Sequence, residues 1–97
     1  MSLENFHKAF ENKARLGIMS ILMVKDAVSF NGLKEILDMT DGNLATHLKA
    51  IEKEGFIEVA KDFVDRKPKT TYKATFEGKN AFEEHLKALE DLIKQTR

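Results

Sequence analysis

The sequence predicts a small, mainly helical α+β domain with a single β-hairpin, and three observations carry that prediction. The 97 residues leave room for one hydrophobic core and no second, so 1–97 is read as a single domain. Apolar residues recur at the three-to-four-residue spacing of helices near the start, in the middle and at the end of the chain. Between about 56 and 76 that spacing gives way to two β-prone runs.

From Leu3 to about Asp26, the residues Leu3, Phe6, Phe10, Ala14, Ile18 and Ile21 form one stripe uninterrupted by proline. This predicts one long helix or two consecutive ones. From Leu16 onward the segment is apolar on several faces, as expected of the buried centre of the domain. Residues 27–30 are short and β-prone, and Asn31-Gly32 is expected to open a helix of barely two turns ending at Leu37. Met39-Thr40-Asp41 makes a turn in which Thr40 or Asp41 can cap the next helix. There Leu44, Leu48 and Ile51 share one face, and Gly55 supplies the left-handed stop. Two helices so closely joined are a helix-turn-helix, over about 32–54.

The hairpin is expected over about 56–76, with strands at 56–63 and 70–76 and a long basic tip at 64–69. From 77 to about 95, Phe82, Leu86, Leu89 and Ile93 step by four, three and four, a seam on a final helix. Helix, short strand, helix, helix, hairpin, helix is the order of a winged helix-turn-helix.

Two stretches add a resemblance that covers nearly the whole chain. Residues 41–57 end in Ile51-Glu52-Lys53-Glu54-Gly55-Phe56-Ile57, and Ala74-Thr75-Phe76-Glu77-Gly78-Lys79 follows the hairpin. They resemble the small prokaryotic winged-helix transcriptional regulators related to the MarR and ArsR groups. There a recognition helix closes with Leu-Glu-x-x-Gly-[Leu/Tyr/Phe]-[Ile/Val], and the wing leads into the last helix through Leu-Thr-x-x-Gly-[Arg/Lys]. Ile51, Ala74 and Phe76 depart slightly from those patterns. The resemblance implies a homodimeric, sequence-specific regulator that occupies operator DNA. Its first and last helices would form the dimer interface, setting two recognition helices roughly 34 Å apart for successive major grooves.

The residues themselves indicate which side chains would meet the DNA. Turning each position of the third helix by about 100° puts Leu44, Leu48 and Ile51 inside and Thr46, Lys49 and Lys53 outside, with Asn43 beside them and His47 on the flank. Asn43, Thr46 and His47, in the first half of the helix, are the candidates for base edges, since Asn can bond adenine bidentately and a Thr methyl can touch thymine. Lys49 and Lys53 are candidates for phosphate. Asn31, at the expected start of the second helix, marks a further phosphate site on free backbone N–H groups. Between 61 and 73 five cations, Lys61, Arg66, Lys67, Lys69 and Lys73, face only Asp62 and Asp65. Arg66 is expected at a minor groove, with Lys67, Lys69 and the adjoining Thr70 at its flanking phosphates. For the dimer, Phe6, Phe10, Phe82, Leu86, Leu89 and Ile93 are more apolar surface than so small a domain is expected to cover alone.

Composition bounds the alternatives. Formal net charge is zero, so attraction to nucleic acid must be local, and a winged helix used only for protein–protein contact is the rival reading. The absence of cysteine removes disulfides and thiolate metal sites and suits a reducing cytoplasm. His7, His47 and His85 are not at metal-ligand spacing, and His7 and His85 are expected at the interface, where protonation would weaken the dimer. With no phosphate-binding glycine loop, no nucleophile motif and no apolar run long enough for a membrane span, no enzyme activity, cofactor, metal or membrane partner is expected. A small-molecule effector is left unassigned, because helical ends this short offer little wall for a pocket.

Overall fold

In the computed structural model, which describes residues 3–96, each helix begins where a short polar side chain can take its free N–H groups. Asn12 Oδ1 accepts from the N–H groups of Ala14 (2.8 Å) and Arg15 (3.3 Å) and opens α1 (Lys13–Val24). Ser29 Oγ accepts from Gly32 N–H at 3.0 Å at the start of α2 (Phe30–Leu37). Thr40 does the same for Asn43 in α3 (Asp41–Lys53), and Thr75 for Gly78 in α4 (Phe76–Gln95). The strands are β1 (Val28–Ser29), β2 (Ile57–Val64) and β3 (Lys67–Ala74), an antiparallel sheet in the order β1-β3-β2. This is a winged helix of the α+β class.

The core forms around the second half of α1, as its multi-faced apolar pattern requires. Ile18, Met19 and Leu22 are fully buried against Leu33 of α2 and Leu44, Leu48 and Ile51 of α3, with Ile57 and Ala74 closing the sheet side. Lys34 Nζ meets Asp41 Oδ1 at 2.8 Å across the turn between α2 and α3; exposed as it is, this pair adds little to stability.

Three expectations about secondary structure give way. The stripe from Leu3 to Phe10 is not a regular helix: a single 3₁₀ turn, Lys8–Phe10, precedes α1. His7 Nδ1 accepts from Ala9 N–H at 3.1 Å and Asn12 caps the next helix, so side chains here draw backbone donors away from helix continuity. The second helix begins at Phe30, ahead of Asn31-Gly32, because Ser29 supplies its cap. The wing has no long tip: its strands run on to Val64 and Lys67 and turn through two residues, Asp65 (φ 52°) and Arg66 (φ 66°). Two consecutive left-handed residues are the type I′ geometry that matches strand twist.

Phe10 and Phe82, expected at a dimer interface, belong to the protomer's own core, each only 2% exposed. With the N-terminal segment folded back, Phe10 stacks on Phe56 (5.5 Å) and meets Phe82 (5.1 Å) and His85 (5.5 Å) edge-on. His7 and His85, also expected between protomers, face each other inside this cluster, where His7 N–H donates to His85 Nδ1 at 3.1 Å. Phe6 lies half-buried with its ring edge-on to His85.

The junction of hairpin and helices is tighter still. Gly55 takes φ 80° after α3; Phe56 C=O accepts from Thr75 N–H at 3.0 Å, and Thr75 Oγ1 donates to Gly55 C=O at 2.7 Å. A Cβ at position 78 would overlap the Phe56 carbonyl, standing 2.8 Å from its carbon. Gly78→Ala is therefore expected to destabilise the fold by about 3 kcal/mol in urea unfolding, since rigid backbone must move.

Burial, then the neighbouring His7, hold the His85 imidazole below its ordinary value of 6.5, with Glu11 opposing. Below that value the unfolded chain takes a proton that the native site resists, so stability is retained above it and falls as pH drops. The urea midpoint should decrease between about pH 8 and pH 5, and His85→Phe should reduce that difference.

Candidate nucleic-acid interface

The capped, amphipathic α3 fixes what it offers to solvent. With Leu44, Leu48 and Ile51 locked in the core, Asn43, Thr46, Lys49 and Lys53 are exposed together. Thr46 Oγ1 donates to Gly42 C=O at 2.9 Å, which leaves its methyl group as the outward feature. His47 is half-buried on the flank beside α1, where it and Asn43 border a cleft of about 610 Å³ with Asn12, Lys13 and Thr40. Lys53 lies on the same side further along, at a cleft shared with Lys8 and Arg15.

On its other flank α3 faces the wing. Ala45, Leu48, Lys49 and Glu52 line one side of a cleft of about 490 Å³, and Val59, Lys61 and Tyr72 line the other. Helix α3 and the wing thus form one concave surface, with Lys49 and Lys61 on opposite walls. Burial, and next the Glu52 carboxylate, raise the Tyr72 phenol above its ordinary 10.0, so at neutral pH it remains a hydrogen-bond donor. The sequence pattern counts Lys61 among the wing cations without giving it a contact, and it does not mark Tyr72 at all. Strand alternation would have put both on one face once the hairpin register was known: Lys61 pairs with Thr70, and Val59 with Tyr72.

The register also divides the basic wing. Lys67 and Lys69 stand two residues apart on one face of β3, across from Val64 and Asp62, while Thr70 lies on the other face opposite Lys61. Arg66 is at the turn itself. Where β1 ends, the open edge of β3 meets the start of α2, and Asn31, Lys67, Lys69 and Thr70 come together around a cleft of about 380 Å³. Asn31, named as a phosphate contact for the helix start, is therefore joined by the wing lysines. The Gly32 N–H expected to be free beside it is taken by Ser29.

Of the six residues read as dimer contacts, Leu86, Leu89 and Ile93 remain open on α4, at 43%, 43% and 50% exposure. They continue the helix beyond Phe82 and His85, which face the core. Among the described residues no helix is long and apolar enough to cross a membrane, and no three His, Cys, Asp or Glu side chains are grouped to hold a metal ion.

Comparison with known proteins agrees with this geometry. An uncharacterised protein of Methanocaldococcus jannaschii is 38% identical over 87 residues, covering 90% of this chain and 95% of that protein. The structure of a transcriptional regulator homologue from Pyrococcus horikoshii superposes with a TM-score of 0.85 at 31% identity, over 91% of this chain and 87% of the other. HlyU from Vibrio cholerae matches with a TM-score of 0.66 at 25% identity, over 78% of each chain. The resemblance to prokaryotic winged-helix regulators holds across sequence and structure alike. Residues 14–93, from the first turn of α1 almost to the end of α4, match the model of the winged helix DNA-binding domain, and the chain belongs to that family.

Proposed function

We propose that the protein is a homodimeric, sequence-specific transcriptional regulator that acts by occupying operator DNA. The observation that carries this reading is the shared concavity of α3 and the wing, with Lys49 on one wall and Lys61 on the other, beside the exposed Asn43 and Thr46 of the same helix. In it α3 enters a major groove, Asn43 bonds an adenine edge and the Thr46 methyl touches a thymine. His47, on the flank, reaches a base nearer the groove wall, while Lys49 and Lys53 hold phosphates. Asn31, Lys67, Lys69 and Thr70 hold the backbone on the wing side, and Arg66 extends toward the adjacent minor groove.

The left-handed Arg66 supports a binding role for the turn. A non-glycine residue in that conformation costs roughly 1–2 kcal/mol, which the glycine usual in such turns would avoid. Zero net charge supplies no attraction at long range, so the reading requires two copies on one duplex. Leu86, Leu89 and Ile93 are the surface for that pairing, with half-buried Phe6 at its margin. The same neutrality favours the second reading, a winged helix that contacts protein alone.

Selection from a random duplex pool at two salt concentrations separates the two readings. A DNA-binding protein enriches a common sequence, and its log affinity falls linearly with log salt. Replacing Arg66, Lys67 and Lys69 together by alanine should weaken binding to all duplexes and flatten the salt slope by about three contacts per protomer, or about six for the dimer. Asn43→Ala should instead lower affinity for the selected sequence by about 1–3 kcal/mol and spare random DNA. A protein indifferent to duplex DNA at low salt would support the protein-contact reading. Leu86→Glu with Leu89→Glu should give a folded monomer in sedimentation, with much reduced DNA affinity; an unchanged dimer would move the interface elsewhere.

A further inference from the structure

The wing carries an apolar feature that the fold does not use. Phe63 is 73% exposed, and its cross-strand partner is Pro68, also exposed, two pairs from the chain turn. In a two-residue hairpin Val64 and Lys67 form the hydrogen-bonded pair, which makes Phe63 and Pro68 a non-hydrogen-bonded pair with their side chains close together. The proline thus removes no ladder bond. Phe63 N–H, on the outer edge of β2, is taken by Asp62 Oδ1 at 2.7 Å. Both edges of the hairpin are therefore blunted against another strand at this point, by a missing donor on one side and an occupied one on the other.

The side chains of this pair have a defined direction. Phe63 lies two and four residues beyond Lys61 and Val59, on the strand face that lines the cleft with α3. Two residues of strand carry it about 7 Å past Lys61, and four carry it about 13 Å past Val59, which faces α3. Measured from Val59 and with the radius of α3 added, that reach is comparable to the roughly 17 Å, half of a 34 Å helical turn, between adjacent major and minor grooves. On the same face Lys61 precedes it, and Arg66 stands at the turn; Lys67 and Lys69 project from the opposite face, and the four cations outnumber Asp62 and Asp65. An apolar pair flanked by this local excess of positive charge suits a polyanion that also presents C–H surface.

We propose that Phe63, backed by Pro68, packs against the deoxyribose walls of the minor groove next to the major groove that α3 occupies. This rests on the DNA-binding reading above and adds to it a contact without charge or base hydrogen bonds. Such a contact strengthens binding to every sequence and is insensitive to salt, which makes it separable from the lysines.

The test compares wild type and Phe63→Ala on a mixed-sequence duplex of about three helical turns. Since the ring is exposed, thermal unfolding of the variant should match wild type. Affinity should fall about tenfold with an unchanged salt slope. Hydroxyl-radical footprinting should lose protection of the sugars flanking the α3 site and keep it elsewhere, and Phe63→Leu should retain most of the affinity. Equal affinity and one footprint for both proteins would overturn the contact and leave the DNA-binding reading intact. A change in sedimentation of the free variant would reassign Phe63 to a contact between copies and overturn it as well. Wild type that leaves the duplex unbound removes the parent reading, and this one with it.

Discussion

The backbone of Phe56 is gripped between elements that would otherwise be free to swing: its C=O accepts the Thr75 N–H, and Gly78 packs so close that a methyl group there would overlap the carbonyl. Through this junction the end of α3, the root of the wing and the start of α4 share a few backbone atoms. Thr75 serves twice, donating its hydroxyl proton to Gly55 C=O while accepting from Gly78 N–H. The Phe56 ring stacks on Phe10, which ties the N-terminal segment to the same point. The angle between α3 and the wing, and hence the cleft between Lys49 and Lys61, depends on this close approach of chain to chain. Backbone contacts suit that role because they have no rotamers to relax, so a small error in placement is resisted steeply.

Around that junction the molecule separates a buried aromatic side from an exposed, charged one. The aromatic cluster of Phe10, Phe56, Phe82 and His85 is buried and excludes charge, and its imidazole titrates below its ordinary value for that reason. The concave side carries the opposite features: cations at its rim, a neutral phenol at its base, and an exposed phenylalanine at its far end. Charges of both signs cancel over the whole chain, so its electrostatics are those of position rather than of amount.

The wing illustrates how register turns composition into geometry. A basic run looks uniform in the sequence, yet pairing Lys67 with Val64 sends Lys67 and Lys69 to one face and leaves Thr70 beside Phe63 and Lys61 on the other. Pairing also makes the turn only two residues long, obliging Asp65 and Arg66 to adopt left-handed backbone. A six-residue loop would have avoided that strain and lost the rigid projection of the strands.

The order of the helices from α1 onward was legible in the chain, because the Leu44, Leu48 and Ile51 spacing, the Thr40 cap and Gly55 are local signals that act within one or two turns. Legible too was the polar face of α3, which follows from the same periodicity once the inner face is known. The fate of Phe10 and Phe82 was settled by tertiary packing: at helical spacing they read as a spare apolar stripe, but His7 and Asn12 interrupt helix continuity and both rings close into the protomer's core. The hairpin's two-residue turn, the cleft shared by Lys61 and Tyr72, and the meeting of Asn31 with Lys67 and Lys69 were likewise settled by strand pairing. Such contacts join residues far apart in the chain, and their register depends on which side chains the rest of the core can bury, a quantity that no local window contains.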